Sequence, residues 1–171
     1  MLARLDAIES ATLSEDGRID ASVLRHLLET EIGDARYREW EMPFDSDNNF
    51  WSYLAGREPF HTANARAGLA RGFSVPRVTL EGRDASLAAY VTDEATKSPF
   101  WAPFAAMPAR IPTAEQERLK AEARAAIAEA VTPSYAALLA FFRDEYLPAT
   151  RTSLGASEMP NGRAYYAQQI R

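Results

Sequence analysis

Cysteine is absent from the 171-residue chain, and histidine occurs only at His26 and His61. The first absence excludes a disulfide framework, a thiolate nucleophile and a cysteine zinc site. The second leaves a histidine-based metal centre short of ligands. Lysine and arginine form no run, and the formal net charge is −5, with a pI near 5.1. Nucleic acid and an anionic membrane surface both require a cationic footprint, so neither is expected as a main partner. No apolar stretch reaches the roughly 18 residues of a membrane span. Residues 1–10 alternate charged with apolar side chains and lack the apolar core of a signal peptide. The default compartment is therefore the cytoplasm, with a leader on a longer precursor left open. Strand-like alternation is scarce as well. Residues 73–80 are the one candidate, and Pro76 argues against it.

What is present reads as helix. Hydrophobic residues make up 47% of the chain, enough to bury a core at this length. Leu2, Leu5 and Ile8 predict a short amphipathic helix, and residues 14–17 (SEDG) a turn. Asp20 is the expected cap of the next helix, whose stripe is Val23, Leu24, Leu27, Leu28 and Ile32. That helix is expected to run through Tyr37 and Trp40 until Pro43. A short helix over 64–72 ends in glycine, and another starts at Pro76 and passes Leu80, Leu87 and Tyr90, weakened by Gly82. Residues 98–112 hold four prolines among Phe100, Trp101, Phe104 and Met107. They predict an irregular connector packed across a surface. Thr113 and Gln116 have the spacing of a capping box. The helix behind them carries Leu119, Ala123, Ala126, Ile127, Ala130 and Val131 on one face. Pro133 kinks or restarts it, and Tyr135, Leu138, Leu139, Phe142 and Tyr146 continue the stripe up to Pro148. A final helix begins at Ala164. The expected fold is all-α, an irregular multi-helix array over residues 1–171.

Few residues carry chemistry. His26 and Glu29 lie on nearly the same helical face, but position 30 is threonine, so the H-x-x-E-H metallopeptidase pattern fails. A surface contact is the preferred reading of that pair. Asp45 to Asn49 offers alternating oxygen ligands, yet Phe50 and Gly56 stand where a calcium loop needs glycine and glutamate. Turn formation and helix capping explain that stretch better. No nucleophile elbow, Walker motif or dinucleotide fingerprint occurs. Phe50, Trp51, Tyr53 and Phe60 are dense enough to line a pocket, although such clusters are more often core. Arg163, Tyr165 and Tyr166 follow a Pro-Asn-Gly turn and sit at a helix start, where tyrosine hydroxyls can meet a substrate or simply pack.

Four phrases carry a resemblance. They are REWEMPFDSDNNFWSYLAGREPF, ARAGLARGFSVPRVTLEG, AEARAAIAEAVTPSYAALLAFFRDEYLPATRTSLGAS and MPNGRAYYAQQIR. In this order, from about Leu2 to Arg171, they resemble the N-terminal half of the bacterial domain-of-unknown-function family 885. That family looks like a helical, zincin-like metallopeptidase family. The resemblance implies that the chain is an incomplete N-terminal portion of a larger domain. Zinc then belongs to full-length relatives, whose His-Glu pair and Pro-Gly-His-His stretch have no match here. No catalytic residue and no metal ligand is carried over, and no cofactor is expected in this chain. The resemblance gives Phe50, Trp51, Tyr53, Arg163, Tyr165 and Tyr166 a role as walls of a peptide-binding cleft. It also implies a missing helical stretch, or a closed-up gap, between Ala63 and Asn64. The competing expectation is a helical interaction module that self-associates through exposed apolar helix faces.

Overall fold

The computed structural model describes residues 1–44 and 62–170. Among these residues every regular element is helical and no strand is present, so the fold is all-α. Two short elements open the chain: α1 (Leu2–Asp6) and a 3₁₀ turn at Ser10–Thr12.

Helix α2 (Glu15–Tyr37) starts earlier than the sequence suggests. Ser14 is its N-cap, with Oγ accepting the Gly17 N–H at 3.1 Å, and Glu15 and Asp16 lie in the first turn. A serine cap followed by two acids at the positive end of the helix outweighs the glycine that made residues 14–17 look like a turn. The helix stops where Arg38 adopts the left-handed conformation (φ 54°, ψ 57°). Trp40 falls in the following 3₁₀ turn, Glu39–Glu41. The main contacts of α2 are with α1 and with the C-terminal helix α10 (Gly162–Gln169). Arg25 pairs with Asp6 at 2.5 Å, and Gly33 is buried beneath Gln168. Both contacts use the side away from Val23 and Leu27. Val23, Leu24, Leu27 and Ile32 of the apolar stripe are exposed.

Helix α3 (Thr62–Ala70) ends as predicted, at a glycine. Gly72 has φ +72°, and Phe73 N–H bonds the Gly68 carbonyl while Gly72 N–H bonds that of Leu69. This is the six-to-one and five-to-two pairing of a Schellman cap. The helix expected from Pro76 is broken into α4 (Arg77–Leu80) and α5 (Asp84–Ala88), because Gly82 takes φ +79° between them. The proline-rich connector is more regular than expected. Ser98 Oγ accepts the Phe100 N–H, a 3₁₀ turn covers Pro99–Trp101, and α6 (Ala102–Ala105) follows. Pro99 and Pro103 each sit in a first turn, where the missing N–H costs nothing.

Segments α7 (Thr113–Ala126), α8 (Thr132–Ala140) and α9 (Leu147–Ala149) are joined by π-helical stretches at Ile127–Val131 and Phe141–Tyr146. Together they form one helix of 37 residues, Thr113–Ala149. Pro133 does not restart it, and Pro148 lies in its last turn, as expected. A proline ring collides with the carbonyl four residues back. Those carbonyls belong to Glu129 and Asp144, each inside a π stretch, where the widened turn makes room. The predicted capping box does not close. Thr113 lies inside the helix, and the Gln116 amide donates to the Ile111 carbonyl at 2.9 Å. By length and composition this helix is long and apolar enough to cross a membrane. Its apolar residues form no unbroken run of that length, because Glu129, Thr132 and Ser134 interrupt them.

The second π stretch supplies much of the core. Phe141, Phe142 and Tyr146 are buried with Phe44, Ala65, Leu80, Leu87 and Leu139. Phe44 sits 4.4 Å from Tyr146 and 5.1 Å from Phe142, centroid to centroid. The chain after the long helix is tied back to α4. Arg77 donates to the carbonyls of Pro148 (2.5 Å) and Thr150 (3.1 Å), the open acceptors of a helix C-terminus. Arg151 donates to Ser74 O at 2.7 Å.

On the surface, Arg66 grips Glu145 through two hydrogen bonds of 2.8 and 2.9 Å. The hydrogen bond from Arg66 is the main reason the Glu145 carboxyl is held below its usual range. A lowered folded pKa adds stability above the unfolded value of about 4.3, lost as pH falls through the folded value. Both groups are solvent-exposed, so the effect is small. Glu145→Gln is expected to lower the neutral plateau of a stability-against-pH curve slightly and to leave the strongly acid end unmoved, which flattens the acid limb. A loss that is as large in strong acid as at neutral pH contradicts this assignment.

Candidate functional site

A groove of about 560 Å³ lies between α6 and the long helix. Its floor is Ala123, Ile127 and Val131, and Ala126 and Ala130 keep the helix surface low. Phe100, Pro103 and Phe104 form one wall, and Ser134 and Tyr135 close an end. The wall is braced from behind. Trp101 packs on Ala123 and Ile127, its ring 5.7 Å from Phe104, and the Arg124 guanidinium lies over it at 4.8 Å. Tyr90 stacks on Tyr135 at 4.7 Å and meets Phe100 at 5.5 Å. Burial raises the Tyr135 pKa, as does the neighbouring Tyr90, so its hydroxyl stays protonated at neutral pH. The volume suits a small ligand or a few side chains. The apolar lining selects hydrophobic groups.

The residues singled out from sequence fall elsewhere. Phe50, Trp51 and Tyr53 lie outside the described residues, as do Asp45 to Asn49, Phe60 and His61. Arg163, Tyr165 and Tyr166 all stand on α10, and none of them lines the groove. Tyr165 turns inward. Its ring meets Tyr37 and Phe73, each at 5.3 Å, edge-on. Burial first, then a hydrogen bond to Glu39 and the charges of Glu39 and Asp34, hold its hydroxyl protonated. Gln169 joins the same junction, donating to Glu39 at 2.6 Å and Asp34 at 3.2 Å. The Tyr165 hydroxyl is therefore used in holding α10 to the end of α2. Arg163 and Tyr166 are exposed, Tyr166 at 57%.

His26 is exposed on α2, and the charged neighbour of Glu29 is Arg25, at 4.0 Å. Among the described residues no three His, Cys, Asp or Glu side chains converge on a point fit for a metal. These residues do not supply a zinc ligand set.

Residues 60–171 match the model of the family described as "Bacterial protein of unknown function (DUF885)". The chain belongs to the DUF885 family. The matched part of the DUF885 chain takes in α3, the groove, the long helix and α10, so every described candidate residue except His26 and Glu29 lies within it. The resemblance read over residues 2–59 lies outside the match, whose first residue falls close to the expected discontinuity at Ala63 and Asn64. No curated protein and no solved structure matches the chain.

Proposed function

We propose that the chain is the non-catalytic N-terminal portion of a zinc peptidase-like protein, supplying scaffold and one wall of a peptide-binding cleft. The groove carries this reading. It is concave and apolar, and its aromatic wall is braced by Trp101, which is what a subsite for hydrophobic peptide side chains needs. The zinc chemistry implied by the family resemblance has no counterpart among the described residues, so it belongs to other parts of a complete protein. Phe50, Trp51, Tyr53, Arg163 and Tyr166 stay on this reading as candidate walls, and Tyr165 as the residue that anchors α10.

Two measurements test it. Peptidase assays with added zinc are expected to show no chelator-sensitive turnover, and clear turnover refutes the non-catalytic role. Fluorescence anisotropy with a labelled leucine- and phenylalanine-rich hexapeptide is expected to show weak binding, with a Kd on the order of 0.1–1 mM. Ala130→Trp fills the groove from an exposed position and is expected to weaken binding about tenfold or more. Unchanged binding in that variant removes the groove from the cleft.

A second reading, a self-associating helical module, is favoured by one observation, the outward-facing apolar stripe of α2.

A further inference from the structure

The exposed face of α2 has a definite order. Ile19, Val23 and Leu27 follow one another at four-residue spacing, and so do Leu24, Leu28 and Ile32. Residues four apart form a ridge on a helix surface, and these two ridges are adjacent. Five of the six side chains are well exposed, at 57, 54 and 55% for Ile19, Val23 and Leu27, and 41 and 45% for Leu24 and Ile32. An isolated exposed leucine needs no explanation, but two parallel ridges on one helix do. α1 and α10 pack on the side of Arg25 and Gly33, and Ile32 borders that side, lining a pocket with Leu2 and Gln168, so the open part of the face is centred on Val23, Leu24 and Leu27.

The pattern is also a palindrome. Reversal about the midpoint between Arg25 and His26 exchanges Ile19 with Ile32, Val23 with Leu28, and Leu24 with Leu27. One ridge maps onto the other. A symmetric dimer requires a patch that is complementary to itself under a two-fold axis. Ridges at four-residue spacing interdigitate at a crossing angle near −50°, the commonest packing of globular helices.

We infer that α2 is a homodimerisation surface on which two copies of this chain pack antiparallel about a two-fold axis level with the midpoint between Arg25 and His26. At the crossing point Leu24 packs on the other copy's Leu27, and Val23 on its Leu28. The seam spans about 20 Å along each helix. That length places it at the small, transient end of the interface range. The same axis directs Asp20 of one copy towards Glu31 of the other, so each end of the seam carries a carboxylate pair that opposes association. Weak, tunable dimerisation results. The inference rests on the self-association reading and narrows it to one face and one symmetry.

Sedimentation equilibrium and light scattering from about 1 µM to about 1 mM read the outcome. The average mass is expected to rise from 19.0 kDa towards twice that value. Leu24→Glu alone and Leu27→Lys alone are each expected to weaken association at least about tenfold. Both positions are exposed, so far-UV circular dichroism is expected to match the parent chain. An equimolar mixture of the two variants is expected to recover association, because the carboxylate introduced in one chain then faces the ammonium introduced in the other. Asp20→Asn with Glu31→Gln is expected to tighten the dimer by a few-fold. A parent chain that stays monomeric throughout overturns the proposal and the self-association reading together. So does one that stays monomeric and partitions onto phosphatidylcholine vesicles through this face. Dimers that persist unchanged in both single variants, or a mixture that fails to recover, overturn the α2 seam while leaving self-association standing.

Discussion

Arg71→Ala is expected to destabilise the fold by about 3 kcal/mol, read as a lowered denaturation midpoint. The reason is Glu41, which is buried although charged. Its carboxylate is compensated chiefly by the Arg71 guanidinium, whose Nε donates to Oε2. Arg38 adds a contact of 3.3 Å from a more exposed position. Arg71 also donates to the Tyr37 carbonyl at 2.5 Å, where α2 has run out of internal partners, and its guanidinium lies 4.1 Å from the Phe73 ring centroid. Removing it strands a buried charge and uncaps α2 in one step. The remaining Arg38 contact keeps the cost at the lower end of the range for a broken buried pair. Glu41→Gln in the Arg71→Ala background is expected to return part of the loss, since a neutral amide is cheaper to bury than an unpaired carboxylate. A double variant no better than the single one assigns the damage to the lost α2 contact instead.

The neighbourhood of this pair shows what the sequence made legible. Gly72 announced the end of α3, and the cap forms there. What α3 approaches was not legible. A Cβ on Gly68 would lie 2.0 Å from the Glu41 carbonyl oxygen, so this glycine is the point of contact between α3 and the 3₁₀ turn. Nothing local in ARAGLARG distinguishes Gly68 from Gly72. The all-α class followed from the period of the apolar residues, and so did the face of the long helix that buries Ala123, Ile127 and Leu139. Periodicity identifies residues that share a face, but not what lies opposite. For this reason the stripe of α2 was readable and its outward direction was not. Pro133 has the local signature of a kink or restart, whereas a π-helical turn absorbs it, and Pro148 stands near the helix end where the sequence places it.

The groove was hidden for a related reason. Its floor consists of alanines whose smallness matters only once Phe100 and Phe104 are known to stand opposite, about twenty positions earlier in the chain. The aromatics between the prolines were read as packing across a surface, and Trp101 does so. The available signal was the pairing of an alanine-rich helix face with an aromatic, proline-rich connector just before it. Arg163, Tyr165 and Tyr166 were grouped by adjacency, but neighbouring positions on a helix project in different directions. Tyr165 turns to Tyr37 and Phe73 while Tyr166 faces solvent.

Phe142→Ala is expected to cost about 3–5 kcal/mol, at least as much as any single change considered above. Phe142 is fully buried, with Phe44 at 5.1 Å and Tyr146 at 6.3 Å, centroid to centroid. Its position inside a π-helical turn fixes the direction of the ring, and Pro148 follows close behind. A cavity at this site is slow to collapse, because the helix on one side is continuous and Phe44 approaches from a separate segment. The denaturation midpoint is expected to fall with an unchanged slope, since the surface exposed on unfolding hardly changes. Val23→Ala provides the contrast. It removes apolar atoms from an exposed helix position and is expected to stay within about 0.5 kcal/mol in dilute solution. If Phe142→Ala costs less than about 1 kcal/mol, the cluster around Tyr146 is not the core that holds α3, α5 and the long helix together.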